Sequence, residues 1–374
     1  MAGTQSSITQ AGSAPAILID GNGTPIAIGL VASVTDPEAD DFDADLQYAF
    51  VNQGSLQANG VYDDVNATAL YVSDATLEGG INNTGQMSVS TFVAPSERTE
   101  GEGDDLTLLT AGDGIARVIV LGPNAIADSI NNSGLILASS SEAIDLVYED
   151  PNNPLPISPL PIKDVVATAI TIESTAQAGA LTNSGNISAL VIGREGTAIG
   201  IVDESGTLTS LTNTGSITAL GRNSDPSGDA DTDFTLVALD VSRNESGFTF
   251  NQNRAEDLTP DDDVTPADPA IVGDLRFGSG DDTLTSTAGI ILGDISFGEG
   301  NDTLALSGNS RVRGALTNQG GLEITVAEES FLGVSQAGII PVTSASFDET
   351  STYSPTLDGT TGTASTLAST GDIS

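Results

Sequence analysis

The sequence predicts an all-β fold, a parallel β-helix (a solenoid) with Pro- and Asp-rich loop insertions. Its apolar residues are mostly Val, Ile, Leu and Ala in short alternating runs, and 42 glycines supply the turns between them. An Asn-x-Gly motif recurs six times, and a 20-residue repeat appears towards the carboxyl end. Repeats at fixed periods of this size are typical of stacked structural units.

The charge balance limits the possible functions. The 374 residues include 52 Asp and Glu against 10 Lys and Arg, with no His and no Cys. Nucleophilic triads that need His or Cys, thiolate redox centres and ordinary zinc, haem or iron–sulfur sites are therefore excluded. A formal charge of -42 repels phosphate backbones and anionic lipid, so we expect no nucleic-acid partner and no insertion of this segment into a membrane.

The Asn-x-Gly motif defines the first rungs. Five of its glycines follow one another at intervals of 31, 49, 51 and 30 residues, and an alternating apolar strand comes after each. We expect the motif to form a tight corner with left-handed residues, and the buried asparagines to stack into an internal amide ladder. The corner asparagines assigned to this structural role are Asn83, Asn132, Asn183, Asn213 and Asn318; the first copy of the motif begins at Asn52.

The 20-residue repeat defines the later rungs. Residues 273–284 match residues 293–304 at all but two positions, counting Leu/Ile and Asp/Asn as matches, and residues 314–324 follow at an offset of 21. With strands about 4.8 Å apart, we expect about 13 to 16 rungs and a rod on the order of 70 Å long.

Five stretches interrupt the pattern and are expected to be loops: residues 36–45, 95–102, 149–163, 222–233 and 251–268. Most are rich in Pro, which blocks strand pairing, and in Asp, which stays in water. We expect residues 1–340 to form the β-helix. Residues 341–374, rich in Ser, Thr and Gly, are expected to form a weaker last rung or a linker.

The runs LTNSGNISAL, LTNTGSITAL, FGSGDDTLT and FGEGNDTLALSGNSRVRGALTNQGGLEITV resemble the passenger region of bacterial autotransporters of the pertactin-like type. The resemblance implies a right-handed parallel β-helix, exported to the cell surface by a carboxyl-terminal outer-membrane β-barrel that this chain lacks. It implies an extracellular or outer-membrane location, with which the absence of cysteine agrees. Passengers of this family include adhesins, proteases and esterases, so the resemblance leaves the activity open.

The paired turns FGSGDDTL and FGEGNDTL resemble the calcium-binding nonapeptide of RTX proteins. The predicted Ca²⁺ ligands are Asp281, Asp282, Asn301 and Asp302, because carboxylate and amide oxygens suit a hard cation. The alternative is that these side chains cap the corners of the β-helix by accepting hydrogen bonds from nearby backbone amides. No other cofactor is expected.

A paired-carboxylate active site is the enzymatic alternative. Glycoside hydrolysis needs two carboxylates across a substrate, and Asp261, Asp262 and Asp263 are the candidates. They are consecutive and flanked by prolines, which is more typical of a solvated loop.

The leading hypothesis is a non-enzymatic, secreted or cell-surface β-helical passenger that acts in adhesion, self-association or surface structure. Its expected partner is an extracellular glycan, a protein ligand or a second copy, with cation-dependent self-association. The alternatives are a calcium-dependent structural protein like those of surface layers and a carbohydrate-active β-helix enzyme.

Overall fold

The computed structural model describes residues 6–62, 65–93, 113–142, 165–223, 232–257, 265–369, 371 and 373. Strands account for 58% of the described residues, and the single helix among these residues is a 3₁₀ turn at Ala44–Leu46. The strands stack in parallel as a right-handed β-helix, which confirms the predicted fold class.

Three long sheets form the sides of the rod, here called face 1, face 2 and face 3 in the order in which the chain first visits them. Successive strands of face 1 are Ser7–Ala11, Ser55–Asn59, Gln86–Val93, Leu135–Glu142, Asn186–Gly193, Ser216–Asn223, Ala270–Val272, Ile290–Leu292, Arg311–Gly314, Phe331–Val334 and Thr352–Ser354. Those of face 2 are Ile17–Asp20, Ala67–Ser73, Gly114–Leu121, Val165–Ile172, Glu195–Asp203, Asp233–Asp240, Asp274–Arg276, Ile295–Ser296 and Leu316–Thr317.

Face 3 contains Ile26–Ile28, Ala75–Leu77, Ile126–Asn132, Gln177–Asn183, Ser210–Asn213, Thr249–Gln252, Thr283–Ser286, Asn301–Leu306, Gly321–Val326 and Ser344–Phe347. Beside it, Phe50–Asn52 pairs with Ile81–Asn83, which pairs with the second half of Ile126–Asn132. A small sheet at the carboxyl end holds Gly338–Val342, Thr363–Ser369 and Leu357–Asp358. The boundary expected after residue 340 falls inside the first of these strands.

The core runs the length of the rod because equivalent residues stack in register. Alternate side chains of a strand point to opposite sides, so one set faces inward on every rung. On face 1 this set forms an apolar column whose members are Ile8, Leu56, Met87, Ile136, Ile187, Ile217, Ile271, Ile291, Val312, Leu332 and Tyr353.

The described residues make fewer rungs than the sequence predicts. Face 1 has 11 strands, which gives a stack of about 48 Å at about 4.8 Å per rung. The prediction of 13 to 16 rungs was wrong because insertions take up much of the chain between strands.

Two of the predicted loops have shifted ends. Residues 222, 223 and 233 belong to strands of faces 1 and 2, and residues 251 and 252 end a strand of face 3. These polar strand ends pair in register with strands of the neighbouring rungs, which extends the sheets into the polar sequence. The loop at residues 36–45 contains the start of the 3₁₀ turn. The loops at 95–102 and 149–163 lie outside the described residues.

Candidate functional site

A ladder of buried amides runs along the corner between face 3 and face 1. Each Nδ2 donates to the Oδ1 of the next asparagine: Asn52 to Asn83 at 2.7 Å, Asn83 to Asn132 at 2.7 Å, Asn132 to Asn183 at 2.8 Å and Asn183 to Asn213 at 2.8 Å. The same nitrogens also donate to backbone carbonyls, so the buried amides have their partners within the rod. The ladder stabilises the rungs and offers no group to a ligand.

Gln252 continues the ladder, which the sequence reasoning missed. Its Oε1 accepts from Asn213 Nδ2 at 3.4 Å, and its Nε2 donates to Ala288 O at 3.2 Å. Ser286 pairs with Gln252 on the next rung, and Leu306 follows Ser286, so the polar column becomes apolar there. The sequence signal that could have identified Gln252 is its side-chain amide at the end of a face 3 strand, where the asparagines of the ladder also lie.

Asn318 does not belong to this ladder, so its assignment as an equivalent corner was wrong. It follows the face 2 strand Leu316–Thr317, whereas the ladder asparagines end strands of face 3 or its companion strands. Its Nδ2 donates to Pro341 O at 2.7 Å. The same three-residue motif fits a different corner of the coil.

The corner glycines are needed for space, not for left-handed backbone, which corrects the prediction. None of Gly85, Gly134, Gly185 and Gly215 has a positive φ. A Cβ on Gly134 would lie 2.0 Å from Gly85 O, and one on Gly185 would lie 2.1 Å from Gly134 O. Backbones of successive rungs therefore approach so closely that no side chain fits between them.

The Gly/Asp turns cap the corners of neighbouring rungs. Asp282 Oδ1 accepts from Phe248 N at 2.7 Å, and Asp302 Oδ1 accepts from Asp282 N at 2.9 Å. Both side chains are buried, and Oδ2 of each has no hydrogen-bond partner. Burial raises the pKa of Asp282 to about 6, with a further rise from the charge of Asp302. Burial, and then the charge of Asp281, raises the pKa of Asp302 to about 6.

The four predicted calcium ligands lie in two separate pairs. Asp282 and Asp302 point inward, whereas Asp281 and Asn301 are exposed, with Asn301 N donating to Asp281 Oδ1 at 2.8 Å. Consecutive residues at the start of a strand point to opposite sides of the sheet. No group of three or more Asp or Glu within the described ranges is arranged to hold a metal ion. Phe277 and Phe297, at positions where the nonapeptide has glycine, stack in the core with ring centroids 5.1 Å apart.

A groove of about 650 Å³ follows the corner between face 3 and face 1. Four successive Asn-x-Gly corners form its floor, and residues 255, 267 and 268 border it. The x residues of these corners present hydroxyl groups: Thr84, Ser133, Ser184 and Thr214. Asp268 is the one charged residue among the described lining residues, and its Oδ1 accepts from Arg254 Nε at 2.8 Å.

The amino-terminal rung leaves the core uncovered. Ile8 is 49% exposed although its partner on the next rung, Leu56, is 2% exposed. Ile26 is 37% exposed, and its partner Ala75 is 1% exposed. The strands Ser7–Ala11, Ile17–Asp20 and Ile26–Ile28 each pair on one side only within the described residues. Among the described residues, this rung is therefore an unpaired β edge around a partly exposed apolar centre.

The proposed catalytic residues Asp261, Asp262 and Asp263 lie outside the described residues. No helix in the described part of the chain has the length and hydrophobicity to span a membrane. Comparisons with models of protein families, with curated proteins and with solved structures give no significant match.

Proposed function

We propose that the chain is a non-enzymatic, secreted or cell-surface rod of the autotransporter-passenger type, which builds surface structure by self-association through its amino-terminal rung. The observation that carries this proposal is the exposure of inward-facing Ile8 and Ile26 on a rung whose strands have one partner each among the described residues. A rod with a continuous core is a rigid spacer, and an open strand edge is a template for pairing.

A second copy is the occupant that fits this edge. The edge consists of three strands around one apolar centre, so a partner that pairs with all of them must present three strands in the same arrangement. Another β-helical rung provides this arrangement. At the opposite end, the antiparallel strand Leu357–Asp358 covers part of the outer edge of Thr363–Ser369. Pairing of two amino-terminal ends about a twofold axis closes both open edges at once, and twofold dimers are the commonest symmetric assemblies.

Electrostatic repulsion opposes this dimer at low salt. Residues 6–62 contain seven Asp and Glu and no Lys or Arg, so two amino-terminal ends repel each other. The screening length falls from about 10 Å at 0.1 M salt to about 3 Å at 1 M. Self-association therefore increases with ionic strength, and divalent cations promote it at lower concentrations.

Two features of the sequence support a location outside the cell: the absence of cysteine and the resemblance to passengers that the repeats carry. The described lining of the groove along the Asn-x-Gly corners holds one carboxylate, that of Asp268, whereas paired-carboxylate hydrolysis needs two that face each other.

Sedimentation velocity across a sodium chloride series tests the proposal. We expect a monomer at 0.05 M and a dimer at 1 M, with Ile8→Glu remaining monomeric throughout because it places a charge at the paired edge. Ile339→Glu is the matched control, since Ile339 is a 76% exposed isoleucine near the other end. A native protein that stays monomeric at every salt concentration, or an Ile8→Glu variant that dimerises like the control, would refute self-association through this rung.

A further inference from the structure

The groove along the Asn-x-Gly corners has a regular floor. Each of its four rungs contributes one hydroxyl side chain, one glycine and the first residue of a face 1 strand. With rungs about 4.8 Å apart, the floor is about 14 Å long between the first and last corners. After the last corner, an insertion that includes residues 255, 267 and 268 separates Gly215 from the next face 1 strand, whose Ala270 N donates to Gly215 O. This insertion borders the groove at one end.

The polar groups that face the groove are side chains. The glycine carbonyls accept from the next rung: Gly85 O from Leu135 N at 2.9 Å, and Gly134 O from Asn186 N at 2.8 Å. The hydroxyls of Ser133, Ser184 and Thr214 have no hydrogen-bond partner among the described residues and are open to a ligand. An extended peptide that binds by strand addition needs unpaired backbone N–H groups, and every backbone N–H of the four corners already donates within the rod.

The described lining of the groove carries almost no charge, although the molecule is strongly acidic. Its one charged lining residue within the described chain, Asp268, is paired with Arg254, whereas the whole chain carries -42. Polyanions are repelled by this overall field. The floor presents a hydroxyl group on every rung and a side-chain amide on two of the four rungs, which suits a polymer that carries neutral donors and acceptors at regular intervals.

From these features we propose that the groove binds an extended, uncharged polysaccharide, which lies along the rod axis and hydrogen-bonds to the hydroxyl row and to Gln86 and Asn186. The site binds without cleaving. It lies on the side of the rod, away from the open amino-terminal edge, so this inference does not depend on self-association.

Affinity electrophoresis is the direct test, because the charge of -42 gives the protein high mobility in a native gel. The gels contain hydroxyethyl cellulose, xyloglucan or dextran as neutral probes, polygalacturonate as the anionic probe and gelatin as the polypeptide probe. The groove variant is Ser133→Asp with Ser184→Asp, two exposed side chains on adjacent rungs. Its matched control is Thr182→Asp with Thr212→Asp, which adds the same charge on the outer side of face 3.

We expect at least one neutral probe to retard the native protein and the control, with at least tenfold weaker binding by the groove variant. Circular dichroism melting of the three proteins checks that the fold is kept, and sedimentation of the groove variant in 1 M salt separates this result from any change in self-association. The proposal is overturned if no neutral probe retards the native protein, if polygalacturonate or gelatin alone does so, or if the groove variant binds as tightly as the control.

Discussion

Replacing Asp302 by Asn should reduce the pH dependence of stability. Asp302 and Asp282 are buried on adjacent rungs, and Oδ2 of each lacks a hydrogen-bond donor among the described residues, so ionisation places a poorly compensated negative charge in the interior. The substitution keeps an oxygen that can accept the bond from Asp282 N, which the native side chain receives at 2.9 Å. It removes the ionisation.

The size of the effect follows from the pKa values. Each carboxyl titrates near 3.8 in the unfolded chain and at about 6 in the fold, so the folded protein binds more protons between these values. The stabilisation by the protonated forms is full below about pH 4 and is lost as the pH rises through 6. A shift of about 2 units at about 1.36 kcal/mol per unit gives about 3 kcal/mol for each group. Asp302→Asn should remove about half of the combined loss.

Denaturant unfolding at pH 4.5, 6 and 7.5 and fixed ionic strength measures this loss. Glu349→Gln is the control, because it removes one charge from an exposed residue that does not act on the pKa of either buried carboxyl. The difference between the two variants separates the buried pair from the general repulsion of an acidic chain. If the loss of stability between pH 4.5 and 7.5 is the same in Asp302→Asn as in the native protein, the buried pair does not cause it.

Three further outcomes are expected. Asn183→Ala should lower the free energy of unfolding by about 3 kcal/mol, because it removes the acceptor of Asn132 Nδ2 and the donor to Asn213 Oδ1 and leaves a buried gap in the ladder. In the same urea titration, Asn186→Ala, at an exposed side chain, should change it by less than about 0.5 kcal/mol. Gly185→Ala should lower the free energy of unfolding by more than about 2 kcal/mol or prevent folding, since its Cβ would overlap a backbone oxygen. Gly359→Ala is its control, because the space around Gly359 is open, and it should give the native circular dichroism spectrum. Small-angle scattering should give an elongated particle, and a compact sphere would contradict the stacked rungs.

The repeated rungs were predictable because their pattern is local and periodic. Apolar and polar residues alternate around Ile187 and Ile217, which predicts the side of each strand that faces the core. An asparagine lies four residues before each isoleucine, which predicts the column of amides. Asn318 begins the same motif but follows a strand of face 2, and a three-residue motif does not indicate which face the preceding strand belongs to. Gln252 went unrecognised because its amide is offset by one methylene and no glycine follows two residues later.

The candidate sites were harder to predict because they depend on contacts between rungs. The consecutive residues Asp281 and Asp282 resemble ligands of one ion, yet strand alternation sends them to opposite sides. The exposure of Ile8 depends on whether another rung lies beyond it, which the strand's own alternation does not reveal. The groove arises from four corners separated by up to 51 residues in sequence.

The spacing of the rungs sets an order of folding. Equivalent face 1 residues lie 20 or 21 residues apart from Ala270 to Thr352, but 30 to 54 residues apart from Ser55 to Ala270. Closing a loop of 54 residues costs about 0.9 kcal/mol more entropy than closing one of 20, and each rung of a solenoid gains stability from a neighbour already formed. We therefore expect the carboxyl-terminal coils to nucleate first and the amino-terminal coils to add to them one at a time, so that the rod grows in one direction from a template made of its own last turns.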